Sequence, residues 1–295
     1  MTPSATSTPL SILSHPYQQQ DQIPVTGGKR QLRESGRRPG SVLIWHLGSG
    51  PNPQDAGIVR DRPGGLPLIA VLPQTTEILR DASFLHMLES VRPLGILPFQ
   101  EDPAAQDLVA VLRQPPEDLA AEVTDYLVWR GIPLDRETAR LVRKTLALSA
   151  ELRSISALAR SLYLSRRALG RRFLGRGLPV PSHWLQFGRI LRATIRLQNS
   201  EDSVLSVGYD LGYPDGFSMS NQMVRLTGYR PVEVRQFLGW EWLLEAWMRR
   251  EADTGGLAPD LTEEFLCDPV PRRRPPRSMQ AVGRASGKED RKAVG

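Results

Sequence analysis

Three short apolar runs interrupt the polar N-terminal half of the chain: Val42-Leu-Ile-Trp-His-Leu47, Leu66-Pro-Leu-Ile-Ala-Val-Leu72 and Leu94-Gly-Ile-Leu-Pro-Phe99. Continuous apolar runs of this length suit strands buried on both faces, which predicts a parallel sheet. Between the last two runs, Ile78, Leu79, Ala82, Leu85 and Leu88 fall on one side of a helix running from a Thr75 or Thr76 cap to about Ser90. Pro103 opens a further helical stretch, Ala104 to Arg113. The order of elements predicts a small α/β domain of flavodoxin-like type over residues 41–115. Residues 1–40 and 253–295 are rich in Ser, Thr, Pro, Gln and Arg without an apolar period, so both are expected to be disordered tails.

From residue 116 the period becomes helical. A helix from Pro116 to Trp129 forms a connector, residues 116–134, interrupted by Gly131-Ile-Pro133. Asp135 is a good cap for the next helix, which carries Leu141, Thr145, Leu148 and Leu152 at helical spacing. Two further stretches, Ile155 to Arg176 and Val204 to Thr227, share one plan. A short helix with a small residue (Ala159, Gly208) leads into a tight turn, then a cap (Ser165, Asp215), then a second helix. That plan suits helices that cross closely, as in a helix-turn-helix. Gly239 to Arg250 reads as an amphipathic helix whose stripe is Trp240, Leu243, Leu244 and Trp247, expected to pack back on its own domain.

Charge sharpens this division. The chain has 38 Lys+Arg against 32 Asp+Glu. Residues 41–125 hold five Arg, no Lys and twelve Asp+Glu, whereas residues 151–239 hold thirteen Arg and six Asp+Glu. An acidic module joined to a basic one fits a polyanion-binding domain with a partner or sensor domain attached. The lone cysteine, Cys267, excludes a disulfide framework or a cysteine zinc site. No apolar run reaches the ~18 residues of a membrane span, and the N-terminus lacks a signal-peptide pattern, so a cytoplasmic location is expected.

In the first unit Ile155, Leu158, Leu162, Ala168, Leu169 and Phe173 are predicted to face inward, leaving Arg166, Arg167, Arg171 and Arg172 outside. Arg167 and Arg171, four apart, share one helical face, and an arginine entering the major groove bonds guanine O6 and N7 together. Ser165 directs the positive end of its helix toward phosphate. In the second unit Gly212 supplies a left-handed turn position, and Phe217, Ser220 and Asn221 face the groove. Met219 and Met223 are expected in the core. The helix between the units, Pro181 to Asn199, carries Trp184, Leu191 and Ile195 inside.

These residues resemble the DNA-binding domain of the AraC/XylS family of bacterial transcription regulators. The resemblance rests on Leu158-Ala159, Ser165-Arg-Arg-Ala-Leu169, Arg171 and Phe173, on Trp184-Leu185, Arg189-Ile190 and Ala193, and on Gly212-Tyr213, Met219, Met223, Gly228, Pro231 and Arg235. It implies a DNA-binding domain over 135–252 with two helix-turn-helix units in adjacent major grooves of double-stranded DNA. It also implies base contacts by positions falling on Arg167, Gly170 and Arg171, and on Gly216, Phe217, Ser220 and Asn221, and Arg225 is added to the DNA-binding set. Tyr163 stands where the first turn often has Gly, Asn221 replaces a usual arginine and Val224 a usual basic residue. The first unit (net +6 over 151–177) is therefore expected to dominate affinity over the second (net +1 over 178–239).

The predicted fold is thus a small flavodoxin-like α/β domain followed by an all-α domain. In element order the former resembles a shortened response-regulator receiver, but Gly48, Pro73 and Gln100 end its runs and Glu101-Asp102 follows the wrong one, so phosphotransfer is expected to be lost. No catalytic residue, metal site or cofactor is predicted, and the scattered His15, His46, His86 and His183 argue against an enzyme. RNA polymerase or a second copy of the chain is a candidate partner; the effector stays open. The alternative is a non-catalytic adaptor that binds a protein through its acidic domain and DNA only nonspecifically.

Overall fold

The computed structural model describes residues 10–23, 28–48 and 53–265. Among these residues the sheet has five strands: β1 (Leu10–Leu13), β2 (Gln20–Gln22), β3 (Val42–His46), β4 (Leu68–Val71) and β5 (Gly95–Leu97), in the order β2-β1-β3-β4-β5. The three expected strands are parallel, with Ile44 opposite Ile69 and Ala70 opposite Ile96. The sheet as a whole is mixed, because β1 runs antiparallel to both β2 and β3. Two strands and α1 (Gly28–Gly36) thus come from the region expected to be disordered. The four apolar-rich residues of β1 are too few to show a period. They form a strand because the free edge of β3 offers unpaired backbone groups, which Leu13 opposite Val42 and Leu10 opposite Trp45 satisfy.

Successive side chains of a strand point to opposite faces. Leu43, Trp45, Leu68 and Ala70 lie under α1, α2 (Pro53–Arg60) and α3 (Ala82–Ser90), packing with Leu32, Val59, Phe84 and Leu88. Val42, Ile44, Ile69 and Val71 lie under Leu108 and Leu112 of α4 (Ala105–Arg113), and under Leu238 from the helical half. Covering both faces is why these strands read as unbroken apolar runs. The helix expected to start at Thr75 or Thr76 is divided. A 3-10 turn, Thr76–Arg80, comes first, and Asp81 caps α3 by accepting from the Ser83 N–H at 2.8 Å.

The helical core includes residues before 135. α5 (Leu119–Trp129) starts at Asp118, which accepts from the Ala121 N–H, and not at Pro116. It shares one core with α6 (Arg136–Leu148) and the helices that follow, so the connector is part of the domain. Asp135 caps α6 as predicted, through the Thr138 N–H at 2.8 Å. The long α9 (Pro181–Asn199) runs through this core with Trp184 and Leu191 buried and Ile195 half-buried. Gly188 permits α9 to approach α6, since a Cβ there would come within 2.6 Å of Ser149 Oγ. α13 (Glu241–Asp253) stacks Trp247 on Phe187 at 4.1 Å and meets Trp184 edge-on at 4.6 Å.

The predicted stripe of Trp240, Leu243, Leu244 and Trp247 is buried against its own domain. Glu241 and Glu245, off this stripe, are buried too, and Glu251 is buried on the same side as Trp247. Glu251 accepts from Trp247 Nε1 and lies 3.0 Å from His183 Nδ1. Glu241 and Glu245 face the sheet half. Glu245 accepts from the Tyr126 hydroxyl (2.8 Å) and Arg130 Nε (2.7 Å), while the same hydroxyl accepts from the Gly65 N–H. Arg92 bridges Glu241 and Glu122. Arg62, fully enclosed, donates to the carbonyls of Leu66, Val59, Val91 and Arg92 and lies 4.4 Å from the Trp129 ring centre. Burial pushes its guanidinium pKa down to about 10, so it remains charged at neutral pH.

Beyond α13, α14 (Pro259–Phe265) belongs to the fold, as the Ala258 N–H donates to the Gly177 carbonyl. Residues 253–265, expected to belong to a tail, are therefore part of the fold. Cys267 and the basic cluster 271–277 lie outside the described residues.

Candidate nucleic-acid interface

Two helix pairs flank α9. The first is α7 (Ile155–Ser161) with α8 (Arg166–Leu174), the second α10 (Val204–Asp210) with α11 (Gly216–Thr227). Their turns repeat the same cap and the same two backbone hydrogen bonds. Ser154 and Ser203 cap α7 and α10. Tyr163 N–H donates to the Arg160 carbonyl and Leu164 N–H to that of Ala159; Gly212 N–H donates to Tyr209 and Tyr213 N–H to Gly208 in the same way. The third turn residue is left-handed in both, Tyr163 at φ 55° and Gly212 at φ 74°. Tyr163 therefore holds a strained position, with its side chain 96% exposed. Ala159 and Gly208 sit where the helices of each pair cross, and the Gly208 Cα side faces Gly216 and Met219.

In the first pair, Leu158, Leu169 and Phe173 are buried and Ile155, Leu162 and Ala168 half-buried, matching the predicted inner face. Ser165 caps α8, accepting from the Ala168 N–H at 3.1 Å. Arg166, Arg167 and Arg171 are exposed and have no ion-pair or hydrogen-bond partner among the described residues. Gly170 leaves a notch between them, as a Cβ there would meet nothing within 4 Å. Arg172 differs, because it is half-buried and paired with Glu137 of α6, while Arg176 pairs with Asp135. Both cations are thereby spent on docking α8 to α6, a contact between residues far apart in sequence.

The second pair has another chemistry. Asp215 caps α11 through the Ser218 N–H at 2.5 Å, so its helix N-terminus already holds a negative charge. Met219 and Met223 are fully buried. Gly216 and Ser220 are half-exposed, and the Ser220 hydroxyl donates to the Gly216 carbonyl. Arg225 is exposed and donates to Gln186 of α9. Arg196 of α9 is held by Asp202 and Asp210 at 2.7 and 2.6 Å. What faces outward is Asn221 together with Phe217, which is 81% exposed. Leu205, Val224 and Val232 of α12 (Pro231–Gln236) extend this surface. Leu205 and Val232 carried no sequence signal, because an isolated apolar residue near a helix start is ordinary.

The capping carboxylates of this half are held in their charged form by the helix ends they cap. A backbone N–H bond holds Asp118 (from Ala121), Asp135 (from Thr138) and Asp215 (from Ser218) below the usual carboxylate range. A depressed folded-state pKa contributes stability that is present above the unfolded value of about 3.9 and lost as pH falls through the folded value. Replacing Asp118 and Asp135 with Asn keeps a capping acceptor but removes the titration. The expected result is a flatter stability profile below about pH 4, read by chemical denaturation at a series of pH values; an unchanged slope would assign the acid sensitivity elsewhere.

Among the described residues no group of three or more His, Cys, Asp or Glu is placed to hold a metal ion, and no helix is long and apolar enough to cross a membrane. No curated protein and no solved structure matches the chain. A family model described as a helix-turn-helix domain matches residues 158–236, which runs from within α7 through α8, α9, α10 and α11 to the end of α12. The C-terminal half therefore contains a helix-turn-helix domain, a non-catalytic fold whose general role is DNA-binding regulation.

Proposed function

We propose that the chain is a sequence-specific transcription regulator of the AraC/XylS type, in which α7–α8 and α10–α11 are two helix-turn-helix units bound to adjacent major grooves of double-stranded DNA. The observation that carries this reading is the repeated turn, which shares two backbone hydrogen bonds and its left-handed third residue. α9 supports it: nineteen residues make a rod of about 28 Å, of the order needed to hold two recognition helices one DNA turn (~34 Å) apart. In this reading Arg167 and Arg171 contact base edges across the notch at Gly170. Ser165 and Arg166 contact phosphate, with Arg172 exchanging Glu137 for phosphate on binding. In the second unit Gly216, Phe217, Ser220 and Asn221 face the bases, and Arg225 lies beside them.

The sheet half is proposed as a regulatory module, joined to the DNA-binding half through the Glu241 and Glu245 contacts. Its parallel strands end at His46, Val71 and Leu97, with no Asp at these positions for phosphotransfer. A cytoplasmic location and contact with RNA polymerase or a second copy complete the reading.

The test is selection of bound duplexes from random DNA by the full chain. The expected product is a recurrent site with two half-sites about one helical turn apart, its affinity falling with salt by a log–log slope of about −0.9 per neutralised phosphate. Recovery of no preferred sequence at moderate salt would overturn the reading in favour of an adaptor with nonspecific DNA contact.

A further inference from the structure

The surface over α11 is a groove of about 730 Å³ that runs from Leu205 of α10 past Phe217 and Val224 to Val232 of α12. All four apolar side chains are exposed, Phe217 at 81% and Val232 at 65%. The charged residues on its walls are Asp215 and Arg230, which offset one another. A contiguous apolar surface of this kind marks an interaction site, and it is a poor surface for phosphate, which demands cations and free N–H donors. Asp215 already occupies the α11 N-terminus, and the Ser220 hydroxyl is spent on the Gly216 carbonyl. One polar group with free donor and acceptor sites remains beside the apolar residues, the exposed amide of Asn221.

On the major-groove edges of the four bases the apolar group is the C5-methyl of thymine, and an Asn amide pairs with N6 and N7 of adenine. Phe217 and Asn221, four apart, stand on one face of the helix. Both select the same base pair. We infer that the α10–α11 unit reads an A·T-rich half-site by burying thymine methyls in this groove, with Asn221 on a partner adenine, whereas the arginines of α8 read the other half-site. This rests on the proposed DNA-reading function and assigns the two units different sequence chemistry.

The experiment uses the full chain and a selected duplex. Footprints of the wild type and of Phe217→Ala identify the half-site under α11; Phe217 is so exposed that its removal leaves the core intact. Thymines are then replaced by deoxyuridine, one half-site at a time, which deletes the methyl and nothing else. The expected result is about fourfold weaker binding for each contacted thymine in the α11 half-site, the value of one buried methyl. No change is expected in the α8 half-site, and in Phe217→Ala the deoxyuridine effect should disappear at the thymine under Phe217 and persist at thymines held by Leu205, Val224 or Val232. Tight, sequence-specific binding that is indifferent to deoxyuridine would overturn this inference while leaving the regulator intact. So would a footprint confined to the α8 half-site, which would give the groove to a protein partner. Failure to select any sequence would overturn the regulator and this inference together.

Discussion

Replacing Glu245 with Ala will destabilise the protein by about 3–5 kcal/mol, the cost of removing one partner from a buried ion pair. The side chain is almost wholly enclosed, and one oxygen accepts from both Tyr126 and Arg130. Burial raises the Tyr126 pKa well above its ordinary value, so the phenol stays protonated and remains a donor to Glu245. Without the carboxylate, the Arg130 charge stays in a dry site and the Tyr126 hydroxyl loses its acceptor. The hydroxyl also receives the Gly65 N–H, so the loosened contact reaches the loop before β4. Denaturant unfolding of Glu245→Ala, of Arg130→Ala and of the double variant measures this. The double variant should cost less than the sum, since the two side chains contact each other directly. A Glu245→Ala cost below about 1 kcal/mol would mean that the pair behaves as a solvated surface bridge.

The second large effect is on DNA. Under the proposed function, Arg167→Ala and Arg171→Ala will each remove about 1–3 kcal/mol of discrimination against wrong bases. Base contact and phosphate contact have different signatures. Loss of a base contact relaxes preference at one position and leaves the salt slope intact. Loss of a phosphate contact weakens all duplexes alike and lowers the slope by about 1. Binding titrations of both variants against matched and single-mismatch duplexes at several salt concentrations separate the two. Arg176→Ala serves as the control, because Arg176 is tied to Asp135 and its loss acts on the docking of α8 to α6. Unaltered discrimination in both Arg167→Ala and Arg171→Ala would remove them from the base-reading surface.

The legibility of this chain follows the range of its interactions. Asp135, Ser165 and Asp215 were readable as caps because each bonds a backbone N–H three residues ahead. Gly212 was readable as a turn residue because a left-handed position penalises any side chain locally. β3 and β4 showed themselves by apolar runs, since burial on both faces leaves no polar position, whereas the edge strand β5 leaves Ile96 half exposed despite its apolar run. The start of α3 was misread for the same local reason: Thr75 is an acceptable cap, but Asp81 is a stronger one six residues later. β1 was missed because four residues carry no period, and what makes them a strand is the edge of β3.

The recognition surfaces divide along the same line. The outward arginines of α8 follow from helical spacing once the inner face is known. That Arg172 is engaged by Glu137 depends on how α6 docks, so spacing alone grouped it with the free arginines. The apolar groove is assembled from α10, α11 and α12, and each residue in it looks unremarkable in its own helix.

By itself, then, the sequence determined the helix boundaries set by caps, the two turns, the inner faces and the division into an acidic α/β half and a basic helical half. These depend on contacts within a few residues or on a repeating period. The tertiary structure alone decided the mixed sheet, the burial of α13 beyond its apolar stripe and the pairing of Glu245 with Arg130 and Glu241 with Arg92. Those partners stand 115 and 149 residues apart along the chain. A buried charge is tolerable only when its partner arrives in three dimensions, and no local pattern records which of many charged residues that partner will be.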